Sequence, residues 1–279
     1  MKNKLLMTMA VIMFCVVAAF GQRTLTILHT NDTHSCVMPL SSALADTLQA
    51  GRGGFLRRIA MLREERAADP DLLLFDSGDF SQGSSYYTLF KGDVEVGLMN
   101  QMGYAAGTIG NHEFDFGLEN MARVFSHLNF PIVCSNYVFT EYNLQHIVKP
   151  YVILKHKGLK IGVFALSPKL AGLVDQRNYG NTQYVDPVAT AQKMADLLHK
   201  EKCDLVICLS HLGWEEKGMG DQEMISHTRG IDLVLGGHSH TYFQTLRYVE
   251  NLDGNPIPVD QNGKSGIFIG KLTLQLDKK

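Results

Sequence analysis

The sequence lacks an excess of charge of either sign. It carries 26 lysine and arginine residues against 28 aspartate and glutamate residues, a formal net charge of −2. Because a protein that wraps nucleic acid needs a strongly basic surface, this balance gives no indication of nucleic-acid binding. Only 19% of the 279 residues are charged, while 45% are hydrophobic. This composition excludes a disordered chain, and the length excludes a disulfide-held miniprotein.

Long hydrophobic runs are also scarce, and the one that is present lies at the N-terminus. Residues 5–20 are apolar with one exception, follow Lys2 and Lys4, and precede the small residue Gly21. This run is shorter than the roughly 20 residues that span a bilayer, so the pattern predicts a secretory signal peptide over residues 1–21. No later run is long and apolar enough to span a membrane. We therefore expect a protein that is secreted across the inner membrane into the periplasm.

Cysteine is scarce as well, with five in the whole chain. The four that follow the predicted signal peptide are Cys36, Cys134, Cys203 and Cys208. In an oxidising compartment, two disulfides with three alternative pairings are conceivable. Three of the four cysteines lie in or beside apolar, strand-like runs, however, where cysteine usually acts as a small buried hydrophobe. We therefore predict free thiols.

The sequence does contain an alternation of strand-like and helix-like segments along its whole length. Short apolar runs predict strands at 24–28, 71–75, 132–134, 160–166, 204–209, 231–235, 243–249 and 266–276. Apolar residues at helical spacing predict helices after Gly54 and around 118–128, and Asp186 with Pro187 predicts the start of another. Residues 251–263 are expected to form a loop. This alternation predicts an α/β fold of one domain, with helices outside the sheets.

Polar residues crowd just past the C-terminal ends of five predicted strands. The five clusters are 31–34, 76–79, 110–115, 210–211 and 236–240. Ligands bind at the carboxyl ends of the strands in open α/β sheets. We therefore expect these side chains to converge on one site.

Seven of these side chains are candidate metal ligands: Asp32, His34, Asp79, Asn111, His211, His238 and His240. Residues i and i+2 of an extended chain point the same way, so Asp32 with His34, and His238 with His240, are expected to reach a common centre. Carboxylate, imidazole and amide oxygen suit Zn, Mn, Fe or Co better than metals that need thiolates. Seven ligands exceed the needs of one ion and favour two ions that share a carboxylate.

The order of these motifs resembles that of the calcineurin-like binuclear metallophosphoesterases. Within that family, residues 111–115 (NHEFD) and 231–240 (IDLVLGGHSH) resemble the catalytic domain of secreted 5′-nucleotidases and the related UDP-sugar hydrolases and 2′,3′-cyclic phosphodiesterases. The similarity runs from about Leu25 to the end of the sequence. It implies a four-layer αββα sandwich of two mixed sheets flanked by helices, with residues 22–279 as the catalytic domain.

The resemblance also implies a role for each matching residue. The implied ligands are Asp32, His34 and His240 for one divalent ion and Asn111, His211 and His238 for the other, with Asp79 shared. A hydroxide that bridges the two ions would attack phosphorus. His112 would stabilise the phosphate or protonate the leaving oxygen, and Asp115 would orient His112.

Family members of this type usually continue into a second domain of comparable size that grips the nucleotide, whereas this sequence stops at Lys279. We expect a small phosphate ester as substrate, with nucleoside 5′-monophosphates as the leading class. One alternative is a phosphodiesterase that acts on 2′,3′-cyclic nucleotides or UDP-sugars. Another is a metal-binding subunit that stays inactive until a separate chain supplies the substrate-binding half.

Other residues near the motifs have less definite roles. Glu113 is expected to fix the turn after Asn111 rather than to act as a base. Among the histidines outside the motifs, only His29 is a candidate for a supporting contact behind the metal ligands. Tyr86 and Trp214 either line the entrance for the substrate or only cover the domain.

Overall fold

The structure is a computed structural model that describes residues 23–215 and 219–276. The predicted signal peptide lies outside the described residues. Within them, the chain forms thirteen strands and eight α-helices. Most of the strands belong to two mixed sheets, one of five strands and one of six.

The first sheet contains the N-terminal strands of the chain. Its members are β1 (Arg23–Thr30), β2 (Leu73–Asp76), β3 (Ala106–Thr108), β4 (Ile132–Val133) and β13 (Gly270–Leu276). The order across the sheet is β13-β1-β2-β3-β4. Strands β1 to β4 run parallel, whereas β13 pairs antiparallel with β1. The sheet therefore presents the carboxyl ends of four neighbouring strands at one edge.

The second sheet is built from the later part of the chain. Its members are β6 (Tyr151–His156), β7 (Leu159–Leu166), β9 (Leu205–Ser210), β10 (Leu233–Leu235), β11 (Arg247–Glu250) and β12 (Pro256–Asp260). The order is β11-β12-β10-β9-β7-β6, with antiparallel strands only at the two edges. Strands β5 (Tyr137–Val138) and β8 (Gln183–Tyr184) form a separate pair.

The helices lie between the strands in the chain. They are α1 (Phe55–Ala68), α2 (Ser85–Phe90), α3 (Asp93–Met102), α4 (Gly117–Phe125), α5 (Leu144–Ile147), α6 (Gln176–Tyr179), α7 (Pro187–Lys200) and α8 (Asp221–Ser226). Helix α7 begins as the sequence predicts. The carboxylate of Asp186 accepts a hydrogen bond of 2.8 Å from the backbone N–H of Ala189, and Pro187 occupies the first turn.

Hydrophobic packing arranges these elements in four layers. Successive residues of a strand point to opposite faces, so Ile27 of β1 packs between the two sheets while Leu28 packs toward α1, α3 and α4. In the same way, Val163 of β7 faces the first sheet and Phe164 faces α7 and α8. The result is the α-β-β-α sandwich expected from the family resemblance, which is confirmed.

The C-terminal part differs from the sequence prediction in its strand boundaries. The strand predicted at 243–249 begins only at Arg247, and the loop predicted at 251–263 contains strand β12. Two prolines, Pro256 and Pro258, make β12 resemble a loop because proline lacks the N–H that a strand donates. Strand β12 accommodates the two prolines because neither of them pairs with β10. Only Val259 and Asp260 of β12 do so.

Two further expectations can be compared with the described residues. The four cysteines Cys36, Cys134, Cys203 and Cys208 are buried and unpaired, which confirms the prediction of free thiols. No helix in residues 23–215 or 219–276 has the length and apolar character needed to cross a bilayer.

Candidate metal centre

Side chains from five strand ends meet at one edge of the sandwich. Strands β1, β2 and β3 of the first sheet and β9 and β10 of the second end there. Three groups of potential ligand atoms each lie within 4.8 Å of one another: Asp32 with His34 and His240, Asp79 with His211 and His238, and His34 with Asp79 and His112. The last group shares His34 with the first and Asp79 with the second, so it joins the other two into one site.

The first group is compact. Nε2 of His34 lies 2.8 Å from Nε2 of His240. The Oδ1 atom of Asp32 is 3.8 Å from the former nitrogen and 3.5 Å from the latter. Two imidazole nitrogens and one carboxylate oxygen thus point at a common position, as ligands of a divalent ion do.

Two further candidate ligands, Asn111 and His211, are buried. The Oδ1 atom of Asn111 has no hydrogen-bond partner among the described residues, whereas Nε2 of His211 lies 3.1 Å from Oδ2 of Asp79. Nδ1 of His211 lies 2.6 Å from the carbonyl of Ser77 and donates to it, so Nε2 is left as the ligating nitrogen. A buried polar atom without a partner is costly, and coordination of a metal ion would remove that cost at Oδ1 of Asn111. The donors present therefore fit a metal ion.

The backbone of this site is left-handed at five of the seven candidate ligands. These are Asp32, His34, Asp79, His238 and His240, with φ between 41° and 73°. Residues other than glycine rarely adopt this conformation, which costs on the order of 1–3 kcal/mol at each position. Such strain is concentrated at functional sites because the surrounding structure is built to hold it.

This backbone corrects one step of the sequence argument. The segments 32–34 and 238–240 are not extended, so the alternation of an extended chain does not bring their side chains together. Asp32 and His34 do share a group, but His238 and His240 point into different groups. Left-handed turns, which the sequence pattern did not reveal, aim the two histidines at opposite halves of the site.

Glu113 holds two of the ligand loops together. Its Oε2 atom accepts hydrogen bonds from the backbone N–H groups of Asp79 (3.0 Å) and Gly110 (2.6 Å), and its Oε1 atom accepts one from Ser81 (3.0 Å). From the sequence alone, Glu113 is expected only to fix the turn after Asn111. The structure extends this positioning role to the loop that carries Asp79.

Asn31 supports the ligand Asp32 and was not identified from the sequence. Its Nδ2 atom donates to Oδ2 of Asp32 (2.6 Å) and to the carbonyl of Gly263 (2.8 Å). His29, the supporting residue expected from the sequence, contacts Asp260 rather than a candidate metal ligand. It is fully buried, and its Nε2 atom is 2.9 Å from Oδ2 of Asp260.

Burial and charge together set the protonation of the ligands. Burial lowers the pKa of His34 and of His238 to about 4, which keeps both imidazoles in the neutral form that binds metal. Burial also disfavours a charged His211, but the carboxylate of Asp79 outweighs it and raises the pKa of His211 to about 10. Burial would likewise raise the pKa of Asp79, yet the charge of His211 holds that pKa below its ordinary value. Without a metal ion, a proton on His211 thus balances the charge of Asp79.

His112, which shares a group with His34 and Asp79, pairs with Asp115. Nδ1 of His112 donates to Oδ2 of Asp115 at 3.0 Å, which leaves Nε2 of His112 free to face the site. Burial disfavours a charge on His112, but the hydrogen bond to Asp115 outweighs it and raises the pKa of His112. The arrangement suits a proton donor or a group that stabilises negative charge.

Two clefts open from this centre. One, of about 500 Å³, is lined by His34, His112, His240 and Tyr86, among others. The second, of about 520 Å³, starts at His240 and is lined by Tyr242 and Phe268, among others. Lys264 borders both clefts. Burial and then the charge of Lys264 lower the pKa of His240.

The two aromatic residues left open by the sequence have different positions. Tyr86 lines the first cleft, where a substrate would enter. Trp214 instead packs edge-to-face against Phe243, with ring centroids 5.0 Å apart, and lines a separate depression with Arg247.

Comparison with known proteins identifies the class to which this fold and site belong. The chain matches the calcineurin-like phosphoesterase family over residues 25–242, and it is therefore a member of that family. It is 33% identical to the snake venom 5′-nucleotidase of Gloydius brevicauda over 296 aligned positions, which cover 99% of this chain and 49% of the relative. The recognised resemblance is thereby confirmed. The chain is homologous to 5′-nucleotidases, which are phosphoric ester hydrolases.

Solved structures of nucleotidases are also similar to this chain. The 5′-nucleotidase precursor of Thermus thermophilus superposes with a TM-score of 0.83 at 29% identity, covering 91% of this chain and 52% of that one. The NAD nucleotidase of Haemophilus influenzae superposes with a TM-score of 0.82 at 28% identity, covering 91% and 53%. The chain spans about half the length of these relatives.

Proposed function

We propose that this chain is a metal-dependent phosphatase whose leading substrates are nucleoside 5′-monophosphates. The observation that carries the proposal is that carboxylate and imidazole side chains from five strand ends form three adjoining groups of potential metal ligands, two of which contain Asp79. Homology to 5′-nucleotidases supports the substrate class. We also propose that residues 1–21 direct secretion to the periplasm and that residues 22–279 contain the catalytic domain.

The centre would hold two divalent ions, of Zn, Mn, Fe or Co. The proposed ligands are Asp32, His34 and His240 for one ion and Asn111, His211 and His238 for the other, with Asp79 shared by both. Two bound cations would lower the pKa of a water molecule and offset negative charge on the phosphoryl oxygens. The chain itself would fix the positions of the proposed ligands. The side chain of Glu113 accepts hydrogen bonds from the backbone of Asp79 and Gly110, and the side chain of Asn31 donates one to the backbone of Gly263.

His112 would act directly on the substrate. Its Nε2 atom, directed at the site by the hydrogen bond between Nδ1 and Asp115, would donate a proton or a hydrogen bond to the phosphate or the leaving oxygen. Asp115 would act as a positioning residue that also stabilises the charged imidazole.

The test is a substrate panel with defined metals. Mature protein is assayed on p-nitrophenyl phosphate, AMP, 2′,3′-cyclic AMP and UDP-glucose with Mn²⁺, Zn²⁺ or Co²⁺. We expect the highest kcat/KM for AMP, and we expect loss of hydrolysis of every substrate in Asp79→Asn. Asp71→Asn, the same chemical change at an exposed residue outside the site, is the control and should retain activity.

Three outcomes would contradict the proposal. Folded protein that binds two ions but hydrolyses none of the four substrates is not a phosphatase of this kind. Preferred hydrolysis of 2′,3′-cyclic AMP or UDP-glucose would favour the phosphodiesterase alternative. Activity that arises only after a second chain is added would favour a subunit whose substrate-binding half lies elsewhere.

A further inference from the structure

A cavity of about 440 Å³ lies where the start of helix α1 meets the segment that precedes β13. Three arginines line it, namely Arg52, Arg57 and Arg58. Met61 and residues 267–269 (IFI) line it as well, and these apolar side chains are half-buried. None of the seven candidate metal ligands borders this cavity. Its volume falls in the range of small-molecule sites, so it can hold a ligand of its own.

The positive charge in this cavity is not balanced by a contacting carboxylate. Within residues 23–215 and 219–276, no carboxylate forms an ion pair with any of the three arginines, and the lining of the cavity contains none. Burial lowers the pKa of Arg58, and more distant acidic groups such as Asp76 only partly offset that effect. The carboxylate of Asp76 already accepts hydrogen bonds from Thr30 and Gly78. The cavity therefore attracts anions.

Arg58 carries a charge that is almost completely buried, since the residue is only 3% exposed. Its guanidinium lies over the ring of Phe55, with Cζ 4.0 Å from the ring centroid, and its Nη2 atom donates to the carbonyl of Cys36 at 3.3 Å. The Nε and Nη1 atoms have no hydrogen-bond partner in the part of the chain that the structure describes. A buried charge with unused donors is costly, and an anion in the adjoining cavity would offset part of that cost.

Arg57 and Arg52 line the same cavity but are exposed to solvent. The Nη1 atom of Arg57 donates to the carbonyl of Gly51, which ties this guanidinium to the loop before α1. A Cβ atom built at Gly53 would lie 2.9 Å from the carbonyl oxygen of Ser265, so glycine lets this loop pack closely against the segment before β13. The remaining N–H groups of the two guanidinium forks suit recognition of a carboxylate.

The apolar part of the lining indicates which kind of anion fits. The cost of removing an ion from water rises with the square of its charge, so a partly apolar cavity favours a single negative charge over a phosphate dianion. Met61 and residues 267–269 offer an apolar surface to the rest of such a ligand. A carboxylate attached to an apolar chain matches both parts of the lining.

We propose that this cavity binds an organic carboxylate with an apolar chain, such as a medium-chain fatty acid. The carboxylate would contact Arg57 and Arg52 and supply a counter-charge for the buried Arg58. The chain would pack against Met61 and residues 267–269. This site goes beyond the proposed phosphatase function and does not depend on it, because no candidate metal ligand borders the cavity.

A binding experiment tests the site without turnover. The probe is octanoate, and the comparators are acetate, which lacks the apolar chain, and 1-octanol, which lacks the charge. Calorimetry is done on mature protein as purified. We expect saturable binding of octanoate, at least about 100-fold weaker binding of acetate because no chain is buried, and at least about tenfold weaker binding of 1-octanol.

Three variants test where octanoate binds. Arg57→Gln should weaken octanoate at least about tenfold, the effect of losing a hydrogen bond between charged groups. Arg63→Gln makes the same change at an exposed position of α1 outside the cavity, and it should bind octanoate like the wild type. Lys264→Gln removes a charge from the neighbouring cleft that starts at His240, and it should also leave the affinity unchanged.

The buried arginine gives a second readout. Arg58→Met removes the charge but keeps a long unbranched side chain, and octanoate should raise the midpoint of thermal unfolding of the wild type but not of this variant. If Arg58→Met does not fold, Arg57→Gln still decides. The proposal is overturned if octanoate shows no saturable binding, or if Arg57→Gln binds it with wild-type affinity. It is also overturned if acetate binds as tightly as octanoate, or if Lys264→Gln weakens octanoate as much as Arg57→Gln does.

Discussion

A single methyl group added at Gly110 should disable the proposed metal centre. This glycine lies between β3 and Asn111, and its φ is not in the left-handed region, so its backbone conformation suits any residue. The only constraint on a side chain at position 110 is therefore the space around it. A Cβ atom built at this position overlaps the Oδ1 atom of Asp79 and lies 2.6 Å from Nε2 of His211. Gly110→Ala therefore forces apart the shared carboxylate and one of the ligand histidines.

The size of the effect follows from these distances. Non-bonded carbon and oxygen atoms stay at least about 3 Å apart, so the carboxylate has to move by about 1 Å. Metal ligands tolerate deviations of only about 0.2 Å, and a displacement of 1 Å at a reaction centre costs about 10²-fold in rate. We expect at least a 100-fold loss of kcat/KM and weaker binding of both ions. Overpacking should also lower the free energy of unfolding by about 1–3 kcal/mol.

Gly97 offers a matched control for this experiment. It lies on the exposed side of α3, and a Cβ atom added there contacts nothing within 4 Å. Gly97→Ala should keep full activity and raise the free energy of unfolding by about 1 kcal/mol, because alanine favours a helix over glycine. The two variants are compared with the wild type by isothermal titration calorimetry with Mn²⁺, by phosphatase assays and by urea denaturation. Wild-type Mn²⁺ affinity and stoichiometry in Gly110→Ala would refute the reasoning.

Three further predictions address the supporting residues. Asp115→Asn should lower kcat by about 10²-fold and shift the alkaline limb of the pH–rate profile to lower pH, because the carboxylate raises the pKa of His112. Glu113→Gln should weaken Mn²⁺ binding by about 10–100-fold in calorimetry, since glutamine has one acceptor oxygen for three backbone donors. Burial raises the pKa of Asp221 from 3.8 to about 7, so this group stabilises the fold fully below pH 4 and loses that contribution as pH rises through 7. The difference in unfolding free energy between metal-free wild type and Asp221→Asn should therefore fall by up to about 4 kcal/mol between pH 4 and pH 8.

Each of these three predictions has a result that would contradict it. An unchanged pH–rate profile in Asp115→Asn would remove the link between the carboxylate and His112. Wild-type Mn²⁺ affinity in Glu113→Gln would mean that the ligand loops hold their positions without the three hydrogen bonds. A stability difference for Asp221→Asn that rises with pH, or stays constant, would exclude a raised pKa at this aspartate.

The fold was largely predictable because its elements are specified locally. Strand β1 and helix α7 follow from apolar periodicity and from the Asp186–Pro187 start signal, respectively. Strand β12 was missed because its prolines resemble a loop, and only pairing with β10 and β11 makes it a strand. Such pairing depends on distant parts of the chain and leaves no local pattern.

The candidate site was predictable in composition but not in geometry. Motifs at five strand ends specified which residues meet, since parallel strands present their ends at one edge. The division of His238 and His240 between two groups depends on left-handed turns that no spacing rule contains. The support that Asn31 gives to Asp32 depends on the turn at 263–265, which is more than 200 residues away from Asp32 in the chain.

The central claim is that two ions share the carboxylate of Asp79. Anomalous diffraction from crystals grown with Mn²⁺ tests it most directly, because data collected near the manganese absorption edge locate each ion. We predict two peaks, both in contact with Asp79, of which one also contacts His34 and His240 and the other His211 and His238. A single peak, or a pair of peaks that does not share Asp79, would contradict the account.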